Sequence, residues 1–308
     1  MSMAKYRVHV NDPLDEEATK MLMSKKELEV TSEYLDKEKL LQVIPEIDVL
    51  IVRSATKVTA DVIEAGKRLK IIARAGVGLD NIDVAKAREK GIKVLNTPGA
   101  SAPSVAELTL ALMLACVRGI VKASVSLKEG KWEKKGLTGR ELLGKTLGLV
   151  GFGSIGQEVA KRALAFGMKV IAYDPAKPKT DLPVEYVDLD QLLRESDIVS
   201  LHVPLTEETR YIIDREAISK MKDGVIIINT ARGGVINEEA LYEALVSGKV
   251  YAAGLDVFEV EPPNDELRRK LLSLDNVVAT PHIGASTHEA QKRVGTEIVQ
   301  KVFEELGI

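Results

Sequence analysis

One stretch of this 308-residue chain restricts its fold more than any other: Leu147-Gly148-Leu149-Val150 runs directly into Gly151-Phe152-Gly153-Ser154-Ile155-Gly156. The four leading residues read as a buried strand, and Ile155, Val159, Ala163 and Phe166 fall on one face of a following helix. A second apolar run, residues 170–173, ends in Asp174, about 20 residues beyond the loop. Each part has a physical task in a dinucleotide site. Gly151 permits a tight turn, Gly153 removes the Cβ that would block a pyrophosphate, and Gly156 lets the helix close on the strand. The helix N-terminus, with Ser154 and Ile155, offers N–H groups and partial positive charge to phosphates. Asp174 would accept hydrogen bonds from the adenosine ribose and repel a 2′-phosphate, so NAD is expected over NADP; Lys177 and Lys179 nearby weaken that preference.

Apolar runs at residues 6–10, 49–52, 71–73, 147–150, 170–173, 198–203, 225–228 and 277–279 read as strands, most of them buried on both faces. Helical patterns separate them, which implies an α/β chain of two doubly wound parallel-sheet domains. With aromatics at 4%, the cores must be aliphatic. The turn-rich Asn96-Thr97-Pro98-Gly99 suggests a first domain of residues 1–98, rejoined by a C-terminal helix within 286–308, and a second of residues 99–285. Ser104-Val105-Ala106-Glu107, with Pro103 just before it, has capping-box spacing and marks a helix start. From Val105 to Val117 that helix is apolar nearly all round, so it is buried in a core or against a second copy.

A net charge of −3 carries no nucleic-acid footprint. The single cysteine, Cys116, excludes an intramolecular disulfide. The opening residues lack a secretory apolar core, and the most membrane-like stretch, 106–117, is interrupted by Glu107 and falls short of about 20 apolar residues. A cytoplasmic protein with a small-molecule substrate, no nucleic-acid or membrane partner and no metal is expected.

Four more segments follow the loop: Asn229-Thr230-Ala231-Arg232-Gly233-Gly234, Gly254-Leu255-Asp256-Val257-Phe258, Glu261-Pro262-Pro263 and Pro281-His282-Ile283-Gly284-Ala285. In this order, and over essentially the whole chain, they resemble the D-isomer-specific 2-hydroxyacid dehydrogenases. The resemblance implies a flavodoxin-like substrate domain beside a Rossmann domain, and it places the family's catalytic Arg, Glu and His on Arg232, Glu261 and His282. The chemistry suits each type. A histidine titrates near neutral pH and can take or return the hydroxyl proton. A carboxylate beside it orients the ring, and a planar arginine fork matches a carboxylate with its adjacent C2 oxygen. By the same resemblance Asp256 helps hold the nicotinamide, and Val203, Thr230, Ala231, Gly284 and Ala285 line the cofactor pocket with Arg232 and His282. His9, His202 and His288 read as structural or surface residues.

Three N-terminal segments are most similar to the D-3-phosphoglycerate dehydrogenase branch: Val52-Arg53-Ser54-Ala55-Thr56-Lys57-Val58-Thr59, Arg74-Ala75-Gly76-Val77-Gly78-Leu79-Asp80-Asn81 and Gly130-Lys131-Trp132. This implies D-3-phosphoglycerate as substrate and an entry step of serine biosynthesis. Arg53, Ser54 and Arg74 would meet it, the amides of Gly76, Val77 and Gly78 would hold its carboxylate, and Asn96 would add a hydrogen bond. Lys134 would reach in from the other subunit of a homodimer, although it stands where a forked base is expected; with Lys131 and Lys135 it reads equally well as a solvated loop. Two alternatives stay open. A glyoxylate or hydroxypyruvate reductase would leave Arg53 and the lysines spare, and an NADH-sensing corepressor could use the same fold. The chain ends at Ile308, so regulation through an appended serine-binding domain is not expected.

Overall fold

The computed structural model describes residues 5–308. The chain divides into two compact units, Met1–Ser101 with Ala285–Ile308 and Ala102–Gly284. The division falls after the turn at residues 96–99, because that turn is tied into the first unit: Thr97 N–H donates to Gly76 O at 3.0 Å and Asn96 Nδ2 to Val77 O at 2.7 Å.

The first unit carries five parallel strands, β1 (Tyr6–Val10), β2 (Leu28–Ser32), β3 (Val49–Val52), β4 (Ile71–Arg74) and β5 (Lys93–Leu95), in the order β2-β1-β3-β4-β5. This is the flavodoxin-like order. Helices α1 (Glu16–Met23), α2 (Lys37–Val43), α3 (Ala60–Ala65) and α4 (Val84–Glu89) make the crossovers. Strand β3 shows why a continuous apolar run marks a buried strand: Val49 and Ile51 join one core, Leu50 and Val52 the other. Strand β2, absent from the sequence expectation, lies at the sheet edge with only Leu28 buried.

The second unit carries seven parallel strands, β6 (Thr146–Val150), β7 (Lys169–Tyr173), β8 (Glu185–Tyr186), β9 (Ile198–Leu201), β10 (Val225–Asn229), β11 (Val250–Leu255) and β12 (Val277–Ala279). Their order, β12-β11-β10-β9-β6-β7-β8, is a doubly wound Rossmann arrangement that reverses beside β6. Strand β11 is not expected from the sequence either, since Ala252-Ala253-Gly254 has little strand propensity. Its small residues serve close packing: a Cβ on Gly254 would lie 2.9 Å from the Leu112 Cβ.

Leu112 belongs to α5 (Ala102–Arg118), which starts before the expected capping box. Pro103 sits in its first turn, where a missing N–H costs nothing, and Ser104 is buried inside the helix and does not cap it. Glu107 instead pairs with Arg162 at 3.1 Å. Leu110, Leu112, Met113 and Cys116 are buried in the unit's own core with Leu147, Leu149 and Ile228. Burial pushes the Cys116 thiol up to about 12, so it stays protonated. Among the described residues no single helix is long and apolar enough to cross a membrane.

After α5 come α6 (Ile120–Lys128), α7 (Ser154–Ala165), α8 (Leu189–Glu195), α9 (Arg215–Lys220), α10 (Glu238–Ser247) and α11 (Glu266–Leu272). The last helix, α12 (His288–Leu306), returns to the first unit, where Val294, Ile298, Val299 and Val302 pack with Ala18 and Leu22 of α1.

Candidate active site

In a parallel sheet every strand ends at the same edge, and six strand ends of the second unit carry the site. Gly151 follows β6, Asp174 β7, His202 β9, Thr230 β10 and Asp256 β11, while His282 stands shortly after β12. Open α/β sheets bind ligands at this edge, beside the reversal of strand order.

At the glycine loop, backbone packs on backbone. Gly151 has φ 94°, and a Cβ there would lie 2.6 Å from the His202 carbonyl oxygen and 2.9 Å from Val203 Cγ1. A Cβ on Gly156 would lie 2.5 Å from the Gly151 oxygen, so α7 begins hard against the turn. Gly153 differs, with nothing within 4 Å of its Cβ position. Asp15, Asp36, Asp188, Asp214, Asn237 and Thr287 cap their helices with a side-chain oxygen, whereas Gly153 gives α7 no side-chain cap. The first turn of α7, with Ser154 exposed and Ile155 half-buried, thus presents amides to an anion across open space.

Asp174 Oδ2 accepts the Phe152 N–H at 2.8 Å and Oδ1 the Ala176 N–H at 2.9 Å. Each oxygen has a further lone pair for a ribose hydroxyl, and the charge opposes a 2′-phosphate. The loop, the uncapped helix and the carboxylate therefore fit NAD. His202 Nε2 bonds Ser200 Oγ at 2.9 Å, and burial pushes its imidazole down to about 3, leaving it neutral. It braces the loop through its backbone carbonyl, which packs against Gly151.

His282 adopts φ 54° and donates its backbone N–H to Asp256 O at 2.8 Å. The buried Asp256 carboxylate accepts the Thr280 hydroxyl at 2.6 Å and the backbone N–H groups of Ile283 and Gly284 at 2.8 Å each. Oδ2 accepts one hydrogen bond and keeps a lone pair for the nicotinamide end expected of Asp256, while the carboxylate and the Gly284 N–H build the turn that carries His282. Ala285 beyond it is exposed. The imidazole Nδ1 lies 2.8 Å from Glu261 Oε2, and Glu261 Oε1 accepts the Phe258 N–H at 3.0 Å. With Nδ1 held by a carboxylate, Nε2 is the nitrogen left to exchange a proton with substrate.

Asn229 frames the Arg232 loop. Its Oδ1 accepts the Ala231 N–H at 3.0 Å and its Nδ2 donates to Arg232 O at 2.9 Å. Arg232 Nη1 donates to Ala231 O at 2.7 Å. A Cβ on Gly233 would fall 1.9 Å from Phe258 O, so this loop and the Glu261 loop touch backbone to backbone. Thr230 and Ala231 are buried beneath, with Thr230 Oγ1 2.8 Å from the Thr109 hydroxyl of α5.

In the first unit Arg53 follows β3, beside β1 where the strand order reverses. The buried Asp12, just past β1, accepts the Arg53 N–H at 2.6 Å, the Thr56 N–H at 3.2 Å and the Thr56 hydroxyl at 2.8 Å. Asn81 Nδ2 donates to Arg53 O and Thr56 O, both at 2.7 Å. Arg53 is thereby held half-buried, with Ser54 exposed next to it. Arg74 ends β4 and lays its guanidinium over Gly76, where a Cβ would stand 1.5 Å from Nη1. Asn96 Nδ2 donates one hydrogen bond to Val77 O, which fixes the 76–78 loop and leaves its Oδ1 and second N–H for the substrate expected there. Lys134, in the second unit, is exposed on the α6–β6 connection. Sequence reasoning misses Asp12 and Asn81; the polar pair Asn11-Asp12 closing an apolar strand is the available signal. Among the described residues no cluster of His, Cys, Asp and Glu is arranged to hold a metal ion.

Residues 110–284 match the D-isomer specific 2-hydroxyacid dehydrogenase NAD binding domain. The chain belongs to this family and is an NAD-dependent D-2-hydroxyacid dehydrogenase. It is 81% identical to the hydroxypyruvate reductase of Thermotoga maritima over 306 residues, 99% of this chain and 100% of that one. It is 56% identical to the D-3-phosphoglycerate dehydrogenase of Methanocaldococcus jannaschii over 96% of this chain, and spans only 56% of that protein's length. The crystal structure of D-lactate dehydrogenase from Aquifex aeolicus, complexed with NAD and lactic acid, superposes with a TM-score of 0.86 at 36% identity, covering 98% of this chain and 95% of that one.

Proposed function

We propose that this protein reduces hydroxypyruvate to D-glycerate with NADH. The observation that carries the choice of acid is the 81% identity, end to end, with a hydroxypyruvate reductase. NADH supplies the hydride to C2. The chain's own groups do the rest: His282 gives its proton to the C2 oxygen, Glu261 holds the ring that delivers it, and the Arg232 fork takes the carboxylate and the polarised carbonyl.

Oxidation of D-3-phosphoglycerate, the entry to serine biosynthesis, is the second reading. It is favoured by two cations, Arg53 and Arg74, at the ends of β3 and β4. The two readings separate in one experiment: NADH oxidation by the purified protein with hydroxypyruvate, glyoxylate and 3-phosphooxypyruvate. The first expects kcat/KM for hydroxypyruvate to exceed that for the phosphorylated acid by at least ~10-fold. The reverse order overturns it in favour of the second.

We also read the protein as a homodimer in the cytoplasm. The exposed row Ile120, Val121, Val125 and Leu127 of α6, with Trp132 at 82% exposure, is an apolar surface a second copy would cover. Light scattering on the eluted protein tests this, and a monomer mass contradicts it.

A further inference from the structure

The second unit holds a cluster of ions that neither the cofactor loop nor the His282–Glu261 pair accounts for. Arg268 of α11, only 11% exposed at its side chain, reaches three carboxylates. Its Nε donates to Glu238 Oε2 at 2.5 Å, Nη2 to Glu259 Oε2 at 3.0 Å and Nη1 to Asp265 Oδ1 at 3.4 Å. Glu238, the first residue of α10, turns its other oxygen to the Glu259 backbone N–H at 2.8 Å. From the far side, Glu259 Oε1 accepts the Tyr211 hydroxyl at 2.6 Å and Arg210 Nη1 at 3.3 Å. The cluster thus converges on Glu259, two residues before Glu261.

At the heart of the cluster, a largely buried ion pair such as Arg268–Glu238 is a poor way to gain stability, because apolar side chains of the same volume would serve as well or better. What ions supply is direction: a planar guanidinium fixes two carboxylates at set angles at once. Burial also pushes the Glu238 carboxyl up, so its charge depends on Arg268 and on the Glu259 N–H. The loop's own bonding is sparse, limited to Phe258 N–H on Glu261 Oε1 and Asn264 N–H on Pro262 O, since Pro262 and Pro263 have no N–H to donate.

We propose that Arg268 and Glu238 are positioning residues for proton transfer: they pin the backbone at Glu259 so that Glu261 stays on the His282 imidazole. The inference rests on the Glu261–His282 pair acting in turnover. A misplacement of about 1 Å at a reacting group can cost on the order of 10²-fold in rate, and that sets the scale of the effect.

The test is a double-mutant cycle on the full-length protein, with kcat and KM for the acid, NADH affinity by fluorescence, and thermal melts. Arg268→Met should lower kcat by up to about 10²-fold, with NADH Kd within about twofold of wild type, and Arg268→Lys should recover part of the loss. In a Glu261→Gln background, Arg268→Met should cost little more, because both changes act through one contact. A folded Arg268→Met protein with full kcat overturns the proposal, as does the same fold-loss in both backgrounds. If Arg268→Met does not fold, Arg268→Lys and Tyr211→Phe carry the same cycle, and the same two results overturn the proposal. Full kcat in Glu261→Gln alone sinks the His282–Glu261 pair itself, a failure distinct from additive losses.

Discussion

The glycine loop after β6 and the Glu261 loop after β11 leave the same edge of one sheet and are held by different physics. At the first, main chain rests on main chain: the Cβ missing from Gly151 is replaced by the His202 carbonyl, and the one missing from Gly156 by the Gly151 oxygen. At the second, Gly233 packs on the Phe258 oxygen, but the Glu259 N–H also hangs from the Glu238 carboxylate. The Glu259 side chain is gripped by Arg268, Tyr211 and Arg210, so that side chains arrive from three other segments. A loop of the first kind tolerates no side chain and presents fixed amides, which suits phosphate binding. A loop of the second kind can be adjusted by charge and fork geometry, which suits placing a carboxylate against an imidazole.

That contrast can be attacked from the chemistry side first, where the largest effect is expected. His282→Ala should lower kcat by roughly 10²–10⁴, because the proton donor is gone, and initial rates of NADH oxidation will read it. On the backbone-held side, Gly151→Ala combines φ 94° with a 2.6 Å approach to the His202 oxygen. Strain of about 1–3 kcal/mol from the dihedral alone should lower Tm and weaken NADH binding together. Arg232→Lys keeps the charge and loses the fork, so KM for the acid should rise about 10-fold, with NADH Kd unchanged in a fluorescence titration.

The smallest effect concerns His202. Its folded value is pushed from 6.5 down to about 3, so between those limits the unfolded chain binds more protons than the folded one. Stability therefore falls as pH drops through that window, by at most about 1.4 kcal/mol per pH unit from this residue. Thermal melts of His202→Gln against wild type should show a shallower acid loss; parallel curves would remove the assignment.

The same contrast explains what could be read from the residues alone. The glycine loop is a local device, complete within Gly151–Gly156 and its flanking strands, so spacing reveals it. Asp256 works across 24 to 28 residues to Thr280, Ile283 and Gly284, and nothing in its own segment says that its carboxylate also builds the turn under His282. Arg268 finds Glu238 across 30 residues, and Asn96 finds Val77 across 19, for the same reason out of reach of pattern. The four unexpected strands have separate causes: β5 and β8 are only three and two residues long, β2 is an edge strand with one buried residue, and β11 carries Ala and Gly of low strand propensity where α5 packs close. Helix α5 starts early because Pro103 fits a first turn as well as it fits the position before one.

The division of labour between the two loops is tested most directly by measuring NADH Kd and saturated kcat on two variants in parallel, Gly153→Ala and Glu261→Gln. Gly153 has ordinary backbone angles and open space at its Cβ, so alanine there leaves the fold intact while intruding where phosphate must lie. The account predicts a crossover. Gly153→Ala should raise Kd by about 10-fold with kcat near wild type, and Glu261→Gln should lower kcat by at least ~10-fold with Kd near wild type. If both variants move the same quantity, the separation of binding from proton transfer at this sheet edge is wrong.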